Sequence, residues 1–244
     1  MVTGASRGLG RAIALALADE GAQVTAIARN ADRLAELVKS GSGLIEAQVG
    51  DLSSAEGLAV LAPRLASLDI LVLNSGGPPP GPVTDVADEV WAHQFNAMFL
   101  SFVRLKRVAL PGMRERGFGR ILALVSSGVV QPLPNLGISN ALRLAVVGWA
   151  KTLANEVAQD GITVNCLAPG RIATDRVAEL DRGRAHREGL EVGEVERQSR
   201  QSIPMGRYGQ PEELAALAAF LSSERAGYVT GSVLRVDGGM IRSL

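Results

Sequence analysis

Short runs that are apolar at successive positions alternate with longer stretches that are apolar at helical spacing. This alternation narrows the possible folds more than any other feature of the chain. Gln23–Ala28, Leu44–Val49, Ile70–Asn74, Arg120–Ser126, Thr163–Leu167 and Ser232–Val236 read as strands. Several carry apolar side chains on both faces, as a strand covered on both sides requires. Between them Leu9–Glu20, Ala31–Lys39, Ala55–Ala66, Ala87–Arg116, Ser139–Gln159 and Pro211–Ser222 read as helices. In the last, Leu214, Leu217 and Leu221 share one face, Pro211 suits the first helical position, and Glu212 and Glu213 complement the positive helix start. Strands separated by helices imply right-handed βαβ units and a parallel sheet. The expected fold class is therefore α/β, a three-layer doubly wound parallel sheet of the Rossmann type. It is expected as a single domain over residues 1–244, since no repeat or linker divides the chain.

Composition removes several functional classes. Lys+Arg and Asp+Glu both number 25, so there is no basic excess for a nucleic-acid partner. A hydrophobic share of 47% and a charged share of 20% exclude a disordered chain. Cys166 is the only cysteine, and with two histidines, His93 and His186, no metal site is expected. The uncharged stretch Ile121–Leu142 is interrupted by Pro132 and Pro134 and makes a poor membrane span. With no leader visible, the expectation is a soluble, cytoplasmic protein without a membrane partner. Only Met1 and Val2 precede Thr3-Gly4, so the first strand is short for the middle of a sheet and expected to be poorly held. A natural start upstream is expected, and a native protein beginning at Met1 by mass spectrometry would refute it.

Thr3-Gly4-Ala5-Ser6-Arg7-Gly8-Leu9-Gly10 runs directly into a helix. Glycines there allow a tight turn and a close approach of backbone to a pyrophosphate, and the helix start offers free N–H groups. At the end of the second strand comes Ala28-Arg29-Asn30. An acid at this point would suit the ribose 2′-hydroxyl of NAD, whereas Arg suits the 2′-phosphate of NADP. Arg7 and Arg29 thus favour NADP(H), with NAD(H) as the alternative.

These residues, and others along the whole chain, resemble the short-chain dehydrogenase/reductase family, most closely its 3-oxoacyl-[acyl carrier protein] reductase-like branch. Thr3–Gly10, including Gly4, Ser6, Arg7, Gly8 and Leu9, matches the family's Gly-rich motif. Asp51-Leu52 looks like its adenine-contacting pair, and Leu73-Asn74-Ser75-Gly76 like its Asn-Asn-Ala-Gly motif, altered at two of four places. Asn96 matches the active-site asparagine; Pro169-Gly170 with Ile172 and Thr174 resembles the segment beside the nicotinamide. The stretches Gly206–Glu213 and Thr230–Gly239 resemble the family's C-terminal signatures. The resemblance implies a small-molecule carbonyl or alcohol substrate. It also implies a substrate loop at about residues 176–200 and a homotetramer formed through the two long helices and the C-terminal strand region.

The catalytic segment departs from the pattern. The family places Tyr thirteen residues after its Ser and Lys four further on. Counting from Gly119-Arg120-Ile121 gives Ser126, and counting back from Gly148–Ala154 puts Ser139 at the Tyr position and Arg143 at the Lys position. Ser127 is the alternative register for the serine. An aliphatic hydroxyl is a far weaker acid than a phenol, and a guanidinium is a poor proton relay. The reaction's proton is then expected from water or the substrate. Without the resemblance, Ser139 reads as a helix N-cap and Arg143 as a surface charge. His93, on one face with Asn96, is a conceivable replacement acid but reads first as helix packing. Tyr208 reads as packing, Lys151 as solvated and Cys166 as inert core. Two functions follow: an NADP(H)-dependent short-chain oxidoreductase using Asn96, Ser126, Ser139 and Arg143, or a non-catalytic NADP(H)-binding relative.

Overall fold

The computed structural model describes residues 1–54, 57, 61 and 64–243. The strands are β1 (Val2–Thr3), β2 (Val24–Ala28), β3 (Ile45–Val49), β4 (Ile70–Leu73), β5 (Gly119–Leu124), β6 (Ile162–Pro169) and β7 (Val233–Val236). They form one parallel sheet in the order β3-β2-β1-β4-β5-β6-β7. The described helices are α1 (Gly8–Asp19), α2 (Ala31–Ser40), α3 (Asp88–Phe95), α4 (Ser101–Arg116), α5 (Gly137–Val157), α6 (Asp175–Glu188), α7 (Val192–Gln201) and α8 (Pro211–Ser222). The helix expected at Ala55–Ala66 lies largely outside the described residues.

The period-two geometry of the strands sorts their side chains into two cores. Val72, Leu122 and Leu124 face one side, packing with Ile13 and Leu17 of α1, Leu34 and Leu37 of α2, and Leu214 and Leu221 of α8. Their neighbours Leu71, Leu73, Ile121 and Ala123 face the other, packing with Phe102, Leu105 and Met113 of α4 and Val146 and Leu153 of α5. Both faces are covered, which is why these strands read as unbroken apolar runs. Strand order reverses at β1, whose two neighbours are β2 and β4. In an open α/β sheet the crevice outside the strands' carboxyl ends at such a point is where ligands bind.

Two expectations are corrected. β1 is short but buried and well held: Met1 O accepts from Val72 N (2.9 Å), and Ala5 N donates to Ile27 O (3.0 Å). Thr3 Oγ1 accepts from Asn74 N (2.7 Å) and donates to Asn74 O (2.8 Å), so a side chain replaces ladder bonds that a longer strand would supply. The helix expected over Ala87–Arg116 is not one α-helix, because a π segment, Asn96–Leu100, separates α3 from α4. The charged stretch Arg176–Arg200, the expected substrate loop, is helical. It forms most of α6 and α7, which pack together and bury Asp181, Ala185, Val195 and Ser199.

Candidate active site

The Gly-rich turn is shaped by two close approaches. Gly4 and Gly8 have φ of 61° and 55°, in the left-handed region that a Cβ disfavours. A Cβ on Gly10 would lie 2.3 Å from Gly4 O, so only glycine lets α1 begin this close to the turn. Asn74 Nδ2 donates to Gly4 O (3.3 Å) and pins the turn to the end of β4. Arg7 is the N-cap of α1, extended and with no side-chain bond to the helix, and the first turn carries no acid. The free N–H groups of that turn are left without the usual cap.

Beside it, Ser6, Arg7, Arg29, Asn30 and Arg33 line a cavity of 470 Å³. Asn30 caps α2, its side-chain oxygen accepting from Arg33 N (2.9 Å). Arg33 was missed in the sequence. The available signal was a cation in the first turn of α2, where it opposes the helix dipole and suits a bound anion. Across the mouth of this cavity lies the start of α6. Asp175 Oδ2 is 3.6 Å from Arg7 and 3.4 Å from Arg33, and Glu179 Oε1 is 3.3 Å from Arg7. These pairs were not foreseen either. Asp51 lies at the end of β3, where Ser53 donates to its Oδ1 from its hydroxyl (2.7 Å) and amide (2.9 Å). Those bonds, chiefly the hydroxyl's, hold the Asp51 carboxyl below its usual range. Leu52 is partly buried against the α4 and α5 core.

At the carboxyl end of β5, Ser126, Ser139 and Arg143 converge. Ser126 Oγ accepts from Gly128 N (3.1 Å), and Ser126 is partly exposed whereas Ser127 is buried. Ser139 is buried within the first turn of α5, whose N-cap is Leu136, so it is not the N-cap. Arg143 is not a surface charge: its Nε donates to Ser139 Oγ (3.3 Å) and its Nη1 to Leu124 O (2.7 Å). Burial lowers the Arg143 guanidinium to about 10, and the nearby Arg176 charge adds to this. Ser75, next to Asn74 and Gly76, has a buried hydroxyl with no partner among the described residues.

Asn96 opens the π segment, but its side chain does not join this group. Its Nδ2 donates to Ser53 O (2.8 Å), and its Oδ1 accepts from Arg104 (2.7 Å). His93 is exposed and, among the described residues, bonds only the neighbouring Gln94, so it neither packs nor bonds Ser139. Pro169 ends β6, and Gly170 N donates to Val236 O (2.9 Å). Ile172 is buried and bridges to Gly209. Thr174 caps α6 by accepting from Val177 N (3.4 Å), and its methyl faces Gly8 across the crevice. Tyr208 does more than pack: its hydroxyl donates to the buried Asp181 (2.7 Å), which Arg171 also engages. Burial, and then that bond, push the Tyr208 phenol up. Lys151 is exposed, and burial pushes the Cys166 thiol up to about 12, leaving it inert at neutral pH.

The chain's relatives agree with this architecture. A family model described as enoyl-(acyl carrier protein) reductase matches residues 4–241. The 3-oxoacyl-[acyl-carrier-protein] reductase FabG of Pseudomonas aeruginosa is 38% identical over 252 residues, covering 100% of this chain and 97% of the relative. The NADPH-dependent reductase BacG of Bacillus subtilis is 32% identical, with the same coverage. The solved structure of L-sorbose reductase from Gluconobacter frateurii with NADPH and L-sorbose is similar at a TM-score of 0.91. It is 36% identical, with 100% of this chain and 96% of that chain covered. With matches that run from the Gly-rich turn through the last strand, the chain belongs to the short-chain dehydrogenase/reductase family, in its 3-oxoacyl-[acyl carrier protein] reductase-like branch.

Proposed function

We propose that the chain is an NADP(H)-dependent oxidoreductase acting on a small carbonyl or alcohol substrate. The cavity lined by Arg7, Arg29 and Arg33 carries the reading. Three guanidiniums beside an uncapped helix start, with Ala28 and no acid at the end of β2, suit a ribose 2′-phosphate. The crevice fits the rest of a dinucleotide. Gly4, Ser6, Gly8 and Leu9 would meet the pyrophosphate, while Asp51 and Leu52 would border the adenine. Asn74, Ser75 and Gly76 would line the middle of the crevice, and Pro169, Gly170, Ile172 and Thr174 the nicotinamide end. The NADPH-dependent relatives support the same cofactor.

When bound, the dinucleotide supplies or accepts the hydride. The protein's own residues must then manage oxygen and proton. Ser126 would donate to the substrate oxygen, Arg143 would hold ribose hydroxyls and steady negative charge, and Ser139 would line the pocket. None of the three is a good proton source: Ser126 and Ser139 are aliphatic hydroxyls, and Arg143 spends two of its donors on Ser139 Oγ and Leu124 O. With its side chain bonded elsewhere, Asn96 would order a relay water only through its main-chain carbonyl, which accepts from Ser101 N across the wide π turn. The proton in this account comes from water or the substrate. Residues 176–200 would close over the substrate. The reading extends to a cytoplasmic homotetramer.

The Ser139–Arg143 pair favours one second reading, an NADP(H)-binding protein without turnover. Purified protein is mixed with NADPH and a panel of 3-oxoacyl esters, quinones and small ketones, and the near-ultraviolet absorbance of NADPH is followed. Loss of absorbance with any of them upholds the enzyme. Tight NADPH binding with no loss across the panel upholds the second reading.

A further inference from the structure

Besides Arg143, which would hold the cofactor's ribose, the crevice above β4 and β5 holds a second guanidinium, Arg176, that the cofactor does not account for. Arg143 is anchored by neutral oxygens, Leu124 O and Ser139 Oγ. Its Nη2 has no hydrogen-bond partner, and no carboxylate lies within ion-pair distance of it, among the described residues. From the opposite wall comes Arg176 in the first turn of α6. Its Nη2 donates to Pro78 O (2.6 Å), and its guanidinium covers the bare face of Gly77, where a Cβ would lie 3.2 Å from Nε and Nη2. Gly77 and Pro78 lie in the loop that leaves β4, as Ser126 lies in the one that leaves β5, so the two arginines stand over the exits of adjacent strands. The Arg176 charge is close enough to act on Arg143. The one acid paired with Arg176 among the described residues, Glu179 at 3.6 Å, is shared with Arg7.

Two like charges held by carbonyls in a partly dry crevice repel each other and lose hydration. An anion between them removes both costs. Arg offers planar N–H pairs that match a carboxylate, which a lysine ammonium does not. We propose that Arg176, with Arg143, binds an anionic group of the substrate, so that the site takes oxo acids in preference to their neutral esters. The proposal rests on the oxidoreductase reading of the same crevice and adds the substrate's charge to it.

The test uses matched pairs: 2-oxo-4-phenylbutanoate, acetoacetate and levulinate against their ethyl esters. NADPH oxidation is measured with wild type, Arg176→Met and Arg176→Lys, and calorimetry of each acid and ester is run with and without NADP+. The expected kcat/KM favours at least one acid over its ester by about 10-fold or more. Arg176→Met raises the KM for that acid by about the same factor and moves the ester's KM much less, so that the preference is lost. Arg176→Lys keeps part of the preference. Esters turned over as well as acids, or a preference that survives Arg176→Met, would overturn the proposal. If nothing turns over, calorimetry decides: acid binding lost in Arg176→Met upholds it, and equal binding of acid and ester overturns it. Failure to bind NADP(H) defeats the cofactor reading instead, and the titrations without NADP+ still decide the anion site.

Discussion

Arg143 and Ser139 set the chemical limit of the site. The Ser139 hydroxyl is aliphatic and far less acidic than a phenol, and Arg143 holds Ser139 Oγ and Leu124 O with two of its donors, so the pair stabilises charge but is a poor proton source. Replacing the pair by a phenol and an ammonium supplies the missing acid. Ser139→Tyr with Arg143→Lys is expected to raise the rate of NADPH-dependent ketone reduction by about 10²-fold or more. Steady-state kinetics checks it, and no gain in a folded, NADPH-binding variant shows that proton supply is not limiting. Glu213 gives a second prediction. Arg207, and then the Gln210 amide, lower its carboxyl from 4.5 to about 2, within the capping box that starts α8. A carboxylate depressed on folding stabilises fully above its unfolded value and loses that contribution as pH falls through the folded one. Wild type should therefore melt above Glu213→Gln at pH 7, and the gap should close between pH 4.5 and 2 in thermal scans. Residues whose role is local were legible in the sequence: Pro211, Glu212 and Glu213 mark a helix start by type alone. Arg33 was legible only as an electrostatic mismatch. Asp175 and Asp181 were not, because their partners Arg7 and Tyr208 are distant in sequence and packing alone brings them together.

The start of α6 is the element on which the account turns. Asp175 pairs with Arg7 and Arg33, Glu179 with Arg7 and Arg176, and Arg176 with Pro78 O, so this helix straps one wall of the crevice to the other. A phosphate in the arginine cavity competes with Asp175 for the same guanidiniums. Removing the competitor tightens the phosphate's hold. Exposed ion pairs of this kind are worth about 0.2–1 kcal/mol each, so Asp175→Asn is expected to tighten NADPH by about 2–5-fold. NAD(H), which has no 2′-phosphate, should gain nothing. Fluorescence titration checks this, and weaker NADPH binding in the variant would show that Asp175 supports the cofactor rather than opposing it. The inner strands β2, β4, β5 and β6 were legible because burial on both faces leaves a largely apolar signature, while the edge strands β3 and β7 are partly exposed. The π segment at Asn96 was not legible, since one extra residue per turn barely disturbs the spacing of apolar positions.

At the scale of the molecule, the parallel sheet and its covering helices followed from the alternation of elements and the handedness of their connections, whereas the order of the strands was not read from the sequence. Assembly leaves a weaker trace. Val108 on α4 and Leu144 on α5 are exposed, as are Tyr228 and Val233 at the β7 edge. The proposed homotetramer would cover both regions through two kinds of interface. Light scattering is expected to give four times the chain mass, and a monomeric mass would contradict that assembly. The central claim is that Arg7, Arg29 and Arg33 grip the 2′-phosphate of NADP(H) beside the Gly-rich turn. Calorimetric titration of the wild type and of Arg33→Ala with NADPH and NADH tests it most directly. The account predicts tighter binding of NADPH than of NADH, and a loss in Arg33→Ala confined to NADPH. Equal affinity for the two cofactors, or no heat with either, would contradict it.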